Sequence, residues 1–384
     1  MRKLSLVACI AMLTTQAFSA ESLANAFEEG KVSGEIKSQY FQKEVNDKKV
    51  SIWTNGGNLS YKTGSFYGLS AGVTFQAATV SADDLDNAPS AYNSDQNVSG
   101  AVLSEAYLAY TQANTTAKVG RQYITTPLVA GSGSRIFKES YEGIVLSNTD
   151  IPNTTIVGAY VDKHQYRTDV ASGGSDVKAV SDFKDVGDGA YTLYVKNNSL
   201  ENLTLEAQYA QINEFSSIND DVKAFYAAGS YNLKPFTFEA QTYQTDNGET
   251  SNSDTSAYGV NLMATFDKLS LGAAYSTIDD DASLVNGLGN GADYIYTASW
   301  IYGGIYAADT DAYKLSAGYK ITSDLSFDII YAAWKTADAP RASETDFVTT
   351  YDFNKNLSTT FVVATYNNLD SESYRSRLYA SYKF

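Results

Sequence analysis

The sequence carries one cysteine, one histidine and five prolines in 384 residues. Cys9 lies in an N-terminal apolar stretch, and losing that stretch leaves no disulfide and no thiolate metal site. With His164 as the single histidine, a Ser-His hydrolase would have to be built around Lys163-His-Gln-Tyr166, where nothing marks a nucleophile. The residue reads as exposed and non-catalytic, at the junction of a seventh strand and a long loop. There is no glycine-rich phosphate loop and no His-x-x-x-His pair. An enzyme is therefore not expected, nor a cofactor. Positive charge is also scarce: 28 Lys and Arg stand against 44 Asp and Glu, a net charge of −16. Nucleic-acid binding needs a basic surface and is not expected. The acidic clusters Asp83-Asp84, Asp220-Asp221 and Asp279-Asp-Asp281 lack EF-hand spacing and read as solvated loops rather than a metal site. After residue 20 no run approaches the roughly 18 apolar residues that a membrane-spanning helix requires.

What is abundant is tyrosine. The chain has 30, and aromatics make up 13% of a sequence whose mean hydropathy is −0.27. A transmembrane β-barrel predicts this combination. Half of each strand faces water, and aromatic side chains gather in girdles at the two lipid interfaces. The two ends of the chain agree. Met1-Arg-Lys3, the apolar run Leu4–Leu13 and the small residues around Ala17–Ala20 form a secretory signal peptide over residues 1–20. Its removal takes Arg2 and Lys3 with it and leaves a net charge of −18. At the other end, Leu378, Ala380, Tyr382 and Phe384 share one strand face, and Arg375, Arg377, Ser381 and Lys383 share the other. A closing strand of this kind, ending on Phe384 with Tyr382 behind it, also resembles the signal by which outer-membrane assembly machinery recognises its clients.

Period-two alternation bounded by turn residues places the strands. The first runs from Lys31 to about Phe41, with Val32, Gly34, Ile36 and Tyr40 opposite Glu35, Lys37 and Gln39. A second, about Ile52 to Lys62, is blurred by Gly56-Gly57. The clearest alternation sets Tyr67, Leu69, Ala71, Val73 and Phe75 against Gly68, Ser70, Gly72, Thr74 and Gln76. A long polar loop spans about 77–100. From there long loops near 125–140, 165–188, 213–221, 246–254, 279–310, 336–343 and 367–373 alternate with short turns to the end of the chain. Residues 21–30 could form a single helical turn in the periplasm but read rather as a loose lead-in segment. The expected architecture is all-β: one transmembrane antiparallel barrel over residues 21–384, of about 18 strands. It has short periplasmic turns, long extracellular loops and an aqueous channel.

Lys118-Val-Gly-Arg-Gln122, then Pro127, Ser134-Arg135-Ile-Phe137 and Tyr141-Glu-Gly-Ile-Val-Leu146, resemble the OprD-type porin family. There a Gly-Arg-Gln-like strand end leads into a constriction loop with a Ser-Arg pair, then into a strand opening with an aromatic-x-Gly segment. Glu29–Glu35 and Asp309–Tyr319 resemble other segments of the same family. The resemblance spans the mature length. It implies an 18-stranded outer-membrane channel for small water-soluble solutes, often carboxylates or amino acids, guided by a ladder of Arg and Lys. It also implies that Arg135 sits on a third loop, about 125–140, folded into the pore, where an always-charged guanidinium meets a carboxylate in poorly screened surroundings. Arg121 shares parity with Ala117 and Val119 and so points at lipid, although the family match favours a pore role.

Parity alone places Arg375, Arg377, Lys314, Lys320, Lys37, Lys118 and Lys196 in the lumen. The same rule sends Glu35, Glu105, Glu206, Glu239 and Asp328 there, so opposed charges would set up a transverse field. The expected function is passive diffusion of small hydrophilic solutes and ions through the outer membrane of a Gram-negative bacterium. Its surroundings would be outer-membrane lipids, and the assembled form a monomer or a homotrimer. The alternatives are a general trimeric porin and a closed barrel serving adhesion or envelope structure.

Overall fold

The computed structural model describes residues 20–384 except 46, 87, 89, 90, 93–95, 216–219, 249–253, 293, 302–305, 369 and 370. The signal peptide read over residues 1–20 lies outside the described residues, apart from Ala20. A helical turn, α1 (Leu23–Glu28), is capped by Ser22 and tied to the barrel where Gly64 N donates to Ala26 O at 2.7 Å. The lead-in segment, expected to be loose, is instead a capped helical turn, because Ser22 satisfies the Asn25 amide and Gly64 the Ala26 carbonyl.

The first strands are β1 (Lys31–Val45), β2 (Lys48–Lys62), β3 (Leu69–Asp84), β4 (Gly100–Gln112), β5 (Thr115–Gln122) and β6 (Ser140–Asn148). β7 (Thr154–Gln165), β8 (Phe183–Asn197), β9 (Leu203–Phe215), β10 (Asp220–Leu233), β11 (Phe236–Asp246) and β12 (Asp254–Phe266) follow. The chain ends with β13 (Leu269–Ile278), β14 (Thr310–Lys320), β15 (Leu325–Thr336), β16 (Ala342–Asp352), β17 (Leu357–Asn368) and β18 (Ser371–Lys383). Each strand pairs antiparallel with its chain neighbours, and β18 closes on β1 with Lys37 opposite Ser381 and Phe41 opposite Arg377. Closure leaves no free edge, which is what allows β-structure to cross hydrocarbon.

Alternation decides which way each side chain faces. On β1, Ile36 is 60% exposed and Lys37 7%. Leu108, Val119, Ile144, Leu193, Val260 and Leu315 likewise stand on the outer surface, which is lipid-facing in a barrel of this kind. The inner face is polar, as the sequence pattern requires. β2 was blurred in sequence because its glycines serve packing rather than alternation. A Cβ on Gly57 would lie 2.0 Å from the Glu35 carbonyl oxygen.

Strands run further than their alternation suggested at one end of the barrel. β2 begins at Lys48, and β3 continues to Asp84, so the following loop shrinks to 85–99. There the pairing persists, and Val50 and Ile52 are buried with Leu85 and Tyr92, Val80 packing beside them, so the apolar side chains of this stretch belong to a buried cluster rather than to the lipid face. Tyr67 lies before β3 in a turn, at φ 50°. The long loop expected at 367–373 is instead strand up to Asn368 and again from Ser371. At one end every connection is short. At the other, the longest are 123–139, 166–182 and 279–309.

These long connections turn inward. Ile124 and Val129 pack with Tyr141, Val161 and Ile212 against the wall of β6–β9. Leu128, Leu284 and Ile295 pack with Tyr226, Tyr243 and Ile278 against β10–β13. The apolar core of the molecule is therefore the seam between inward loops and barrel wall.

Candidate functional site

The loop 123–139 crosses the lumen and is clamped by side chains from the strands. Lys37 Nζ donates to the carbonyls of Gly133 at 3.3 Å and Arg135 at 3.2 Å, and lies 3.5 Å from Glu35. Gln76 holds both the amide and the carbonyl of Lys138, at 2.8 Å each. Gln208 Oε1 accepts from the Leu128 amide at 2.7 Å. With its backbone held at three places, the loop presents Ser134 and Arg135 at a fixed position.

The Arg135 guanidinium stands 5.3 Å from the centroid of Phe41, and Arg377 stands 5.0 Å from the same ring. Phe41 packs edge-on to Tyr379 at 5.4 Å, and Arg377 Nη1 donates to the Tyr379 hydroxyl at 3.4 Å. A third guanidinium joins from the loop 166–182: Arg167 Nη2 reaches Ser134 Oγ at 3.4 Å, and Arg135 Nη1 reaches it at 3.2 Å. Aromatic faces beside the guanidinium groups offset part of the cost of gathering like charges. The constriction is thus built from β1, β18 and two loops.

Below it, Glu139 fastens the loop 123–139 to the loop 279–309. Its carboxylate accepts from the amides of Ser132 and Asn290, each at 3.0 Å, and from Asn290 Nδ2 at 2.7 Å. The loops also exchange backbone bonds, Ala130 N to Leu288 O at 3.0 Å and Leu288 N to Leu128 O at 2.8 Å. Burial alone would raise the Glu139 carboxyl. The His164 imidazole, the Arg167 guanidinium and the Ser132 amide outweigh burial and hold it at about 2. His164 Nε2 approaches to 3.5 Å without meeting hydrogen-bond geometry, so the amides are the firmer part of this set. The reading of His164 as exposed is corrected: it is 1% exposed, stacked on Tyr141 at 4.8 Å and against Tyr166 at 4.0 Å. The inward loops cover the end of β7, where sequence parity expects solvent.

The other expected residues divide by role. Arg375 lies on the inner face of β18 in register with Lys43. Lys118 lies on the inner face of β5, its ammonium 4.3 Å above the Tyr107 ring. Glu105 faces the same wall and accepts from Thr74 Oγ1 at 2.6 Å and the Tyr123 amide at 3.3 Å. Lys196 stands in register with Glu206 across β8 and β9, without an ion pair among the described residues. Lys314 donates to the Ala298 carbonyl at 3.0 Å and so supports the loop 279–309. Lys320 keeps lumen parity but is exposed at the short-turn end of β14. Glu35 hydrogen-bonds Ser381 across the β1–β18 seam. Tyr382 and Phe384 lie on the outer face, with ring centroids 6.3 Å apart.

Arg121 does not join the constriction. It pairs with Glu142 at 2.9 Å, and its guanidinium lies 4.2 Å from the Phe183 ring. It shares the outward face with Val119, as parity indicated and as the motif match did not. Strand alternation does not mark three parts of the site: Arg167, Phe41 and the inward course of residues 279–309. Arg167 was findable, as one of few arginines in an acidic chain.

A closed barrel whose lumen is narrowed by inward loops bearing converging guanidinium groups defines an outer-membrane diffusion channel. Residues 25–323 match the family model described as outer membrane porin, OprD family, and the chain belongs to that family. Among curated proteins none matches significantly. Solved structures share the fold. Pseudomonas aeruginosa OccK9 (OpdG) superposes with a TM-score of 0.78 at 19% identity, covering 94% of this chain and 99% of that one. Acinetobacter baumannii OccAB4 gives 0.77 at 17%, covering 93% and 98%. Pseudomonas aeruginosa OpdK with vanillate gives 0.75 at 13%, covering 93% and 99%. The protein is an outer-membrane porin of a Gram-negative bacterium, a channel for small solutes, and its family is not one of enzymes.

Proposed function

We propose that this porin passes small hydrophilic solutes carrying a carboxylate, and that Arg135, Arg377 and Arg167 receive that group at the constriction. The observation that carries the reading is the meeting of the Arg135 and Arg377 guanidinium groups over the one Phe41 ring, 5.3 and 5.0 Å from its centroid. A carboxylate there gains charge-assisted, bidentate bonds in a gap where water screens poorly. Arg375, Lys43 and Lys118 extend the basic wall on either side. Vanillate, the ligand named with OpdK, is itself a carboxylate and fits the same chemistry. The long loops face the cell exterior and the short turns the periplasm, so solutes meet the arginines from outside. Lys37, Lys314 and Glu35 position the loops and the seam rather than guide solutes. Arg121 is left out of the pathway.

The test is single-channel current in a planar bilayer, with acetate and benzoate added as blockers. Arg135→Ala with Arg377→Ala should weaken carboxylate block about tenfold or more, as expected for losing charge-assisted contacts of about 1.5–3 kcal/mol each. It should also shift ion preference toward cations. A double variant blocked as well as the parent would remove these arginines from the solute path.

A further inference from the structure

Arg121 belongs to no part of the pore, and the outer face on which it stands has an order of its own. Val119, Ile144, Tyr160 and Tyr191 lie in register across β5, β6, β7 and β8. Val119 and Ile144 are each 51% exposed, and the Tyr160 and Tyr191 rings stand 5.0 Å apart. An apolar and aromatic row of this kind marks the level where hydrocarbon gives way to headgroups. The next row toward the long loops is Arg121, Glu142, Lys163 and Asp185, again in direct register. Its charges alternate from strand to strand.

Two irregularities between the rows produce this alignment. Gly143 faces Val161, so an unbroken ladder would set Glu142 opposite Asp162, one carboxylate against another. Asp162 is instead the extra residue of β7 and accepts from the Tyr160 hydroxyl at 3.3 Å. Lys163 takes its place opposite Glu142. Between β7 and β8 the same step sets four residues, 186–189, against Asp162, and Asp185 arrives opposite Lys163. Gly189 turns this bulge at φ 97°, where a Cβ would lie 2.5 Å from the Tyr160 ring. Bulges at the rim of a barrel re-aim side chains, and these two convert a clash of acids into an alternating row.

The row neutralises itself incompletely. Arg121 Nε donates to Glu142 at 2.9 Å and Nη1 to the Leu103 carbonyl at 3.4 Å, which leaves Nη2 without an acceptor among the described residues. Lys163 Nζ stands 3.8 Å from Asp185, too far for a hydrogen bond, and has no other acceptor among the described residues. Two cations therefore keep unused donors on either side of one neutralised carboxylate. Their side chains are 35% and 36% exposed. At headgroup level the acceptor that matches such donors is phosphate, which offers several charged oxygens to guanidinium and ammonium alike.

We propose that Arg121 and Lys163 bind phosphate groups of outer-leaflet lipid headgroups, in a row that Glu142 and Asp185 keep in register. The proposal is independent of solute passage. For its leaflet it rests on the placement of the long loops at the cell exterior.

Native mass spectrometry of the refolded barrel in detergent reads the binding, with diphosphoryl lipid A as probe and its dephosphorylated form and inorganic phosphate as controls. The parent should retain the phosphorylated lipid and neither control. Lys163→Gln, which leaves the Arg121–Glu142 pair intact, should weaken retention about tenfold, and adding Arg121→Gln should weaken it further. Lys163→Arg should retain the lipid as the parent does. All three variants should conduct and be blocked by acetate like the parent. Equal retention of the phosphorylated and dephosphorylated lipids would overturn the proposal, and so would retention of inorganic phosphate in place of the lipid. A row that merely stiffens the wall would lower the melting temperature of the variants in lipid-free detergent without changing their lipid retention, which would also overturn it. The leaflet has a separate readout. Residues 20–384 contain no native cysteine, so Asp185→Cys can be labelled on intact cells with a membrane-impermeant maleimide. Labelling only after the outer membrane is opened would overturn the exterior placement of the long loops and the outer-leaflet assignment with it, while phosphate-dependent retention in detergent would still uphold the binding row.

Discussion

Glu139→Gln should loosen the pore constriction more than any single substitution among the lumen arginines. The carboxylate is fully buried and joins two loops through three donors, the Ser132 amide and the Asn290 amide and side chain, with the His164 ring 3.5 Å away. An amide in its place must turn an N–H toward one of those donors and gives up the negative charge beside Arg167. The depressed carboxyl shows that its surroundings outweigh burial and favour the charged form, chiefly through His164 and Arg167. Charge-assisted bonds of the kind made by the Ser132 and Asn290 amides contribute about 1.5–3 kcal/mol each, so losing one would make loop opening about ten times as frequent or more. Current noise and mean conductance should both rise, and protease should cut within 123–139 or 279–309 while the barrel stays folded. The pH dependence has a definite sign. Because the folded value is depressed, the carboxylate's contribution is complete above about 4.5 and fades as pH falls through about 2. Noise in the parent channel should therefore grow across that acid window, whereas Glu139→Gln should be noisy throughout and indifferent to it. A quiet variant would show that the backbone bonds between Ala130 and Leu288 suffice to hold the loops.

Why the barrel was legible and the staple was not follows from the length scale of each signal. Alternation is local: Ile36 and Lys37 declare their opposite faces to anyone reading eleven residues of β1. Repeated along the chain, with short and long connections in turn, it yields strand number and closure without any tertiary information. Charge parity on β5, β14 and β18 was equally local, and Arg375, Arg377, Lys118 and Lys314 lie on the face it indicated. The loops obey no such period. Glu139 and Asn290 are separated by 151 residues and meet only because both segments dive into the lumen. Residues 279–309 read as an external loop because their inward anchors, Leu284 and Ile295, follow no strand period. His164 fails for the same reason. Parity says which side of the wall a residue faces, and only the folded loops say whether water is there. Arg121 is the instructive opposite. There the local rule pointed outward, the motif pointed inward, and the Glu142 partner lies outward.

Removing Phe384 should cost assembly far more than conduction. The residue closes the ring. Its amide donates to the Gly34 carbonyl and its own carbonyl accepts from the Gly34 amide, both at 3.1 Å, which extends the β18–β1 ladder by one pair. Its ring lies over Gly34, where a Cβ would come within 2.6 Å of the Phe384 Cζ and of the Asn58 carbonyl. Glycine at 34 and phenylalanine at 384 are thus matched, and the exposed ring adds an apolar anchor on the outer face beside Tyr382. Deletion strips two backbone bonds from a seam that must form between the first and last strands, the pairing with the longest loop to close. Unpaired backbone groups are costly near the membrane and favour an open seam. The expected outcome is a large fall in heat-modifiable, membrane-inserted barrel on gels of outer-membrane fractions, with those molecules that do insert conducting at the parent level. Gly34→Leu should reproduce the defect in full-length chain by displacing the same ring, which separates seam closure from simple recognition of a terminal phenylalanine. Normal insertion of both variants would show that the remaining β1–β18 pairs, from Glu35–Lys383 to Lys43–Arg375, close the barrel unaided.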